Sequence, residues 1–153
     1  MDIGIPETDR KAIAGALSDV LTETYALYLK THGYHWNVVG PHFTTFHTLF
    51  ETQYRDLWAS LDEIAERIRS LGFPAPAGAA IYTGSSIKAD NDVPEAMQMV
   101  KNLVSDNETV VRAARNALQL AADKADDATA DLMTQRVAVL EKAAWMLRAH
   151  LAS

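Results

Sequence analysis

Four long amphipathic helices, paired on either side of one extended crossover, are the architecture this sequence predicts. Three observations carry the expectation. Apolar residues recur at intervals of three and four over four separate stretches. No run alternates with the period of two that a half-buried strand needs. The strongest breakers, Pro74, Pro76, Gly78 and Gly84, gather between the second and third stretches.

Each element has its own signature. The first helix opens after Pro6, with Thr8 as N-cap, and sets Ile13, Leu17, Val20, Leu21 and Tyr28 at helical spacing. It runs to about Trp36, where Asn37-Val38-Val39-Gly40-Pro41 breaks it. The second aligns Phe46, Phe50, Leu57, Leu61, Ile64, Ile68 and Leu71 until Gly72 and Pro74 stop it. Residues 73–92 form the crossover, and Ala79 to Lys88 has room for a short helix. The third starts near Asp92-Val93-Pro94-Glu95, with proline in the first turn, and carries Met97, Val100, Leu103, Val110, Ala114 and Leu118. After the acidic turn 123–127, the fourth holds Leu132, Met133, Val137, Leu140, Ala144, Leu147 and Leu151. Four helices with one long middle crossover make the ferritin-like version of a four-helix bundle.

Composition narrows the function. A chain of 153 residues is expected to form one domain, 1–153, with a real core. An apolar share of 48% with 22% charged residues is that of a soluble globular protein, so a disordered or membrane chain is not expected. The net charge of −6 speaks against nucleic acid as an electrostatic partner and suits cations. With no cysteine there is no disulfide, thiolate site or cysteine nucleophile. Residues 1–11 lack the basic and apolar regions of a signal peptide, and no apolar run is long enough to span a bilayer. A cytoplasmic location is therefore expected.

The chemistry lies in residues 35–66, which hold His35, His47, Glu51, Asp62 and Glu66. His47 and Glu51 are one helical turn apart, as are Asp62 and Glu66, so each pair shares a face. Imidazole with carboxylate suits iron, manganese or zinc. Glu51 and Asp62 stand eleven apart, three turns to within about 20°, yet roughly 16 Å along the axis. One ion cannot be held by both pairs of one chain. Either there are two sites, or a second copy brings its Asp62 and Glu66 to this copy's His47 and Glu51.

On a helical wheel the apolar stripe of the second helix spans about 80°, and the ligand pairs lie on its flank. A solvated polar face is the ordinary explanation for any single carboxylate there. Trp58 falls on the same flank between the pairs, and an indole among charges is what a subunit interface contains. That favours the two-copy arrangement. No Glu-x-x-His occurs in the chain, which speaks against an inward-facing di-iron centre within one bundle.

These residues also carry a likeness. The stretch from His35-Trp36-Asn37 to His42-Phe43, then Phe46-His47 and Phe50-Glu51, then Asp62-Glu63-Ile64-Ala65-Glu66-Arg67, resembles the signature of the Dps mini-ferritins. The run from Ala125 to Leu132 resembles a second region of that family, and the likeness covers essentially the whole chain. It implies a ferroxidase centre at a two-fold interface, with His35, His47 and Glu51 from one subunit and Asp62 and Glu66 from the other. Many members have aspartate where Glu51 stands; glutamate keeps the charge and adds a methylene.

The resemblance further implies iron as the metal, taken up as Fe2+ and kept as Fe3+ mineral inside a hollow homo-dodecamer. Hydrogen peroxide would be the preferred oxidant, with dioxygen slower. Trp36 and Trp58 flank the ligands and are candidates for absorbing a stray oxidising equivalent, although interface packing explains them as well. Asp123, Asp126, Asp127 and Asp131 are candidates for an iron-entry pore, or for charge stabilisation at a helix start. His32, His42 and His150 are expected at the surface or behind the ligands rather than on metal. A DNA-compacting role is disfavoured, because residues 1–10 contain one arginine, no lysine and three acids. A helical interaction module without metal would explain Trp58 but not five spaced ligands.

Overall fold

The computed structural model describes residues 1–152, with the side chains of Ala80 and Tyr82 outside the described set; Ser153, the end of the expected domain, lies outside it too. Among the described residues five helices follow one another: α1 (Glu7–Asn37), α2 (Phe43–Ser70), α3 (Ala79–Thr83), α4 (Ala96–Asp123) and α5 (Asp127–Ala149). The described residues contain no strand. α1 packs against α2 and α4, and α4 against α5. The short α3 rests on α1 within the crossover, where Glu23 accepts hydrogen bonds from the Ser85 and Ser86 hydroxyls at 2.6 and 2.7 Å.

Most of the stripe residues read from the sequence are buried, and Leu27 joins them in the core. Leu17, Leu27, Phe50, Ile64, Ile68, Leu103, Met133 and Leu147 are fully buried. Burial of each such side chain stabilises by about 1.5–3 kcal/mol relative to exposure. Tyr28, Leu118, Leu132 and Leu151 are only partly buried, and one further stripe position lies outside the core altogether. Met97 is exposed, and Met99 takes the buried place beside Val100 and Leu103.

Helix ends follow local chemistry. Thr8 does not cap α1. Pro6 holds the entry in an extended conformation, and its carbonyl accepts from Asp9 and Arg10 N–H at 3.1 and 2.9 Å. Thr8 therefore sits inside the first turn, between Glu7 and Asp9, whose charges suit the positive end of the helix. Pro94 precedes the N-cap of α4, Glu95, instead of occupying its first turn. α2 closes in a Schellman turn, with Gly72 N–H on Arg69 O, Phe73 N–H on Ile68 O and Gly72 at φ +97°. A Cβ at Gly72 would also meet the Arg10 guanidinium at 2.9 Å, which donates at 2.6 Å to Leu71 O. The α4–α5 turn repeats that geometry with Ala125 at φ +56°, a left-handed conformation held without glycine.

Two arginines tie α2 to α5. Arg136 forks onto Asp56 at 2.6 and 3.2 Å. Arg67 donates to Thr129 at 2.8 Å and to Asp126 at 2.7 Å. These pairs hold α2 to α5 on the side of the helix away from the candidate ligands.

Candidate metal centre

The end of α1 and the first turns of α2 cross so that His35 and His47 meet. Their rings stack at 3.8 Å and 22°. His35 Nδ1–H donates to the carbonyl of His47, and His47 Nδ1–H donates to the carbonyl of His35, each at 2.8 Å. A carbonyl only accepts, so both Nδ1 atoms must carry the proton. That leaves Nε2 of each neutral ring with a free lone pair. Such anchoring of the far nitrogen is how proteins hold a metal-binding imidazole in one tautomer.

Glu51 lies one turn beyond His47, but its Oε1 is engaged by Arg55, which donates from Nε at 2.9 Å and from Nη2 at 2.7 Å. Those hydrogen bonds hold the Glu51 carboxyl below its ordinary range, and the Arg55 charge adds to the effect. Oε2 has no such partner among the described residues. Asp62 and Glu66, further along α2, are exposed, and their side chains make no hydrogen bond or ion pair among the described residues. Among the described residues no three His, Asp or Glu side chains converge as an ion would require. The chain therefore brings the two histidines together, sets Glu51 beside them, and leaves Asp62 and Glu66 unengaged. Two imidazoles with free nitrogens and a hard carboxylate beside them are donors of the kind that fits ferrous iron.

The remaining candidates separate clearly. Trp36 and Trp58 are 66% and 64% exposed, which is unusual for indoles. Trp36 lies against His32 at 4.2 Å. His32 itself is sandwiched, stacking on Tyr54 at 3.9 Å and touching the Tyr28 hydroxyl at 3.3 Å. Burial, with help from His35 and Arg55, holds the His32 imidazole below its usual range. His42 and His150 are exposed and both edge against Phe46.

The acidic group divides. Asp123, Asp127 and Asp131 are exposed, with Gln119 donating to Asp123 and Gln135 to Asp131. Asp126 is only 2% exposed. It caps α5 by accepting from Thr129 N–H at 3.0 Å and Thr129 Oγ1–H at 2.6 Å, and it also holds Arg67. Asp126 is thus a folding residue rather than part of an open acidic surface. Burial alone would raise its carboxyl, but the Thr129 and Arg67 hydrogen bonds outweigh that and hold it low. Sequence reasoning missed Arg55, although its position four after Glu51 was the available signal. It also missed the rings around His32: Tyr28 stands one turn before it on α1, which the spacing offered, and Tyr54 joins only once α1 and α2 are packed.

The chain resembles known proteins over nearly its whole length. The family model for the ferritin-like domain matches residues 14–153. An uncharacterized low temperature-induced protein of Nostoc is 37% identical over 99% of this chain and 86% of its own length. A DNA protection during starvation protein of Brevibacillus brevis is 36% identical over 93% of this chain and 96% of its own. The crystal structure of a Dps protein from Vibrio cholerae, described as one of the ferritin-like diiron-carboxylate proteins, superimposes with a TM-score of 0.93. It is 32% identical and covers 98% of this chain and 95% of its own.

Proposed function

The chain belongs to the ferritin-like family as a Dps mini-ferritin, and from that premise we propose that it is a ferroxidase whose centre is shared between two copies. Iron storage and protection against oxidative damage are the general role that membership supports. In the finer reading, one subunit supplies His35, His47 and Glu51, and the partner subunit supplies Asp62 and Glu66. The observation that carries it is the reciprocal locking of His35 and His47, each with Nδ1 bonded and Nε2 free. The exposed, unengaged Asp62 and Glu66 support a partner's contribution, because they lie too far along α2 to close on their own histidines.

Ferrous iron is the substrate. His35 and His47 present Nε2 to the ion, and the carboxylates offset the charge of the oxidised ion. Peroxide that meets two ions held together takes two electrons in one encounter, so no hydroxyl radical is released. The family likeness makes peroxide the preferred oxidant in this reading. The product is stored as ferric mineral within a homo-dodecamer in the cytoplasm. Exposed Asp123, Asp127 and Asp131 are proposed to line the iron entry; Asp126 is buried and is left out of that group.

DNA is not a partner in this reading. The chain carries 14 basic against 20 acidic residues, and Arg10 is committed to Leu71 O and Ile5 O. Any protection of DNA would come from removal of iron and peroxide. Anaerobic loading with Fe2+ followed by peroxide tests the proposal: rapid iron oxidation in the parent, lost in His47→Ala, is expected. Equal rates in the two would overturn it.

A further inference from the structure

The spacing of side chains along one face of α2 is the same in both directions from a point between Arg55 and Trp58. His47, Glu51, Arg55, Trp58, Asp62 and Glu66 follow at steps of four, four, three, four and four, which sets all six within about 100° of the helix circumference. Asp56 and Leu57, which separate the central two in sequence, are committed elsewhere: Asp56 accepts from Arg136 of α5 at 2.6 Å, and Leu57 is buried. The centre of the face is open. The Trp58 indole is 64% exposed and the Arg55 side chain 68% exposed. Arg55 is nonetheless held in place. Its N–H edge donates to Glu51 Oε1, and one face of the guanidinium lies over Tyr54 at 5.7 Å. No ring among the described residues covers the other face.

We propose that Arg55 of each subunit lays its open guanidinium face on Trp58 of the partner subunit, so that two such cation–π contacts clasp the centre of an antiparallel α2–α2 pairing. The inference rests on the shared centre proposed above. In a parallel two-fold pairing each residue stands opposite its own copy, and His47 would never reach Asp62 of the partner subunit. An antiparallel pairing sets His47 opposite Glu66 of the partner subunit and Glu51 opposite Asp62 of the partner subunit. Arg55 stands four residues on from Glu51, and Trp58 four before Asp62. One turn inward from both sides, the same register therefore brings Arg55 opposite Trp58 of the partner subunit, twice about the axis. A second copy of the chain is the occupant this face selects, because its spacing matches its own reversal. Charge selects it as well. The register sets Glu51 against Asp62 of the partner subunit, two carboxylates that repel when no metal lies between them. Arg55, already on Glu51, offsets that repulsion. Arginine suits the position because its planar head stacks on an aromatic face while its edge keeps its hydrogen bonds. Loss of the stacked face weakens pairing; loss of the edge frees Glu51 for an ion, a separate and smaller effect.

The experiment follows dissociation of the metal-free full chain on dilution, by sedimentation. Arg55→Gln and Trp58→Leu should each raise the midpoint concentration about tenfold, since both clasps of a pair are lost. Both side chains are exposed in the lone chain, so neither change disturbs the core. The decisive arm is an equal mixture of the two variants, co-folded. Paired with itself, neither variant has a complete clasp. A mixed pair has one, made by Arg55 of the Trp58→Leu chain and Trp58 of the Arg55→Gln chain. The mixture should therefore resist dilution about threefold better than either variant alone. Arg55 and Trp58 are also neighbours on their own helix, and a contact within one chain would leave the mixture between the two variants. That result, or unchanged assembly in either single variant, would overturn the proposal. Iron oxidation by co-folded His47→Ala and Asp62→Ala chains is followed alongside. Recovery there without a gain in the Arg55→Gln and Trp58→Leu mixture sinks this inference alone, whereas no recovery sinks the shared centre and the register with it.

Discussion

Helix α2 carries two pairs of candidate ligands, and the fold treats them in opposite ways. At its N-terminal end His47 is bonded to the α1 backbone and stacked on His35, and Glu51 is gripped by Arg55. Three turns later Asp62 and Glu66 stand exposed to solvent, unengaged by any described side chain. Unsatisfied carboxylates are stable in water and need no arrangement there, whereas imidazoles must be oriented before they can bind. The first half of the site is built by folding. The second half, if the centre is shared as proposed, is completed by assembly.

The largest expected effect tests whether the two halves matter equally to chemistry and unequally to folding. His47→Ala and Asp62→Ala should each slow peroxide-dependent iron oxidation by more than about 100-fold, since even residues behind metal ligands are worth 10–100-fold. Their stabilities should differ. His47→Ala loses a hydrogen bond worth about 1 kcal/mol, while Asp62→Ala stays within about 0.5 kcal/mol of the parent in chemical denaturation. Equal stability costs would erase the distinction. Co-folding the two variants sharpens it further, because some interfaces then pair an intact histidine half with an intact carboxylate half. Recovery of oxidation in verified mixed assemblies is expected; none would argue for a site within one chain.

Asp126 offers a contrast to Asp62 and Glu66 as a carboxylate that folding does use. Asp126→Ala removes the α5 cap and strands Arg67, for a loss of about 3 kcal/mol seen in thermal or denaturant unfolding. Because its folded carboxyl is held below the ordinary value, its contribution is present above the unfolded-state range and is lost as pH falls through the folded value. The parent should therefore lose stability on acidification more steeply than Asp126→Asn does.

Trp58→Glu should lower assembly and iron oxidation together, as read by sizing and stopped-flow mixing of the same sample. A monomeric variant that still oxidises iron at the parent rate would break the link between the halves. The smallest effect is expected at Arg55. Its pair with Glu51 is exposed, so Arg55→Gln should tighten divalent-ion binding by no more than about fivefold in titration calorimetry. A larger gain would mean that the guanidinium blocks the site rather than only steadying Glu51.

Much of this was legible in the chain. The spacing of Phe46, Phe50, Leu57 and Ile64, and the Gly72 stop, define α2 because burial and the left-handed turn are local demands. The roughly 16 Å between Glu51 and Asp62 follows from helix geometry alone. What escaped depends on how helices meet or on competing local contacts. Thr8 looks like a cap until Pro6 sets the start ahead of it, and Met97 looks buried until the face of α4 is fixed by Met99. Asp126 reads as one more surface acid until α2 brings Arg67 over it. The locking of His35 to His47 and the stacking of Tyr54 on His32 require the crossing of α1 and α2, which no spacing in either helix records.

Everything proposed about the ferroxidase centre turns on whether the metal sits between two chains. A crystal structure of the assembled protein, soaked anaerobically with Fe2+ and with iron located by anomalous scattering, decides it. The expected density is bounded by His35, His47 and Glu51 of one subunit and by Asp62 and Glu66 of the partner subunit. Iron held by side chains of one chain only, or found elsewhere with these five residues bare, would show that the centre is not shared.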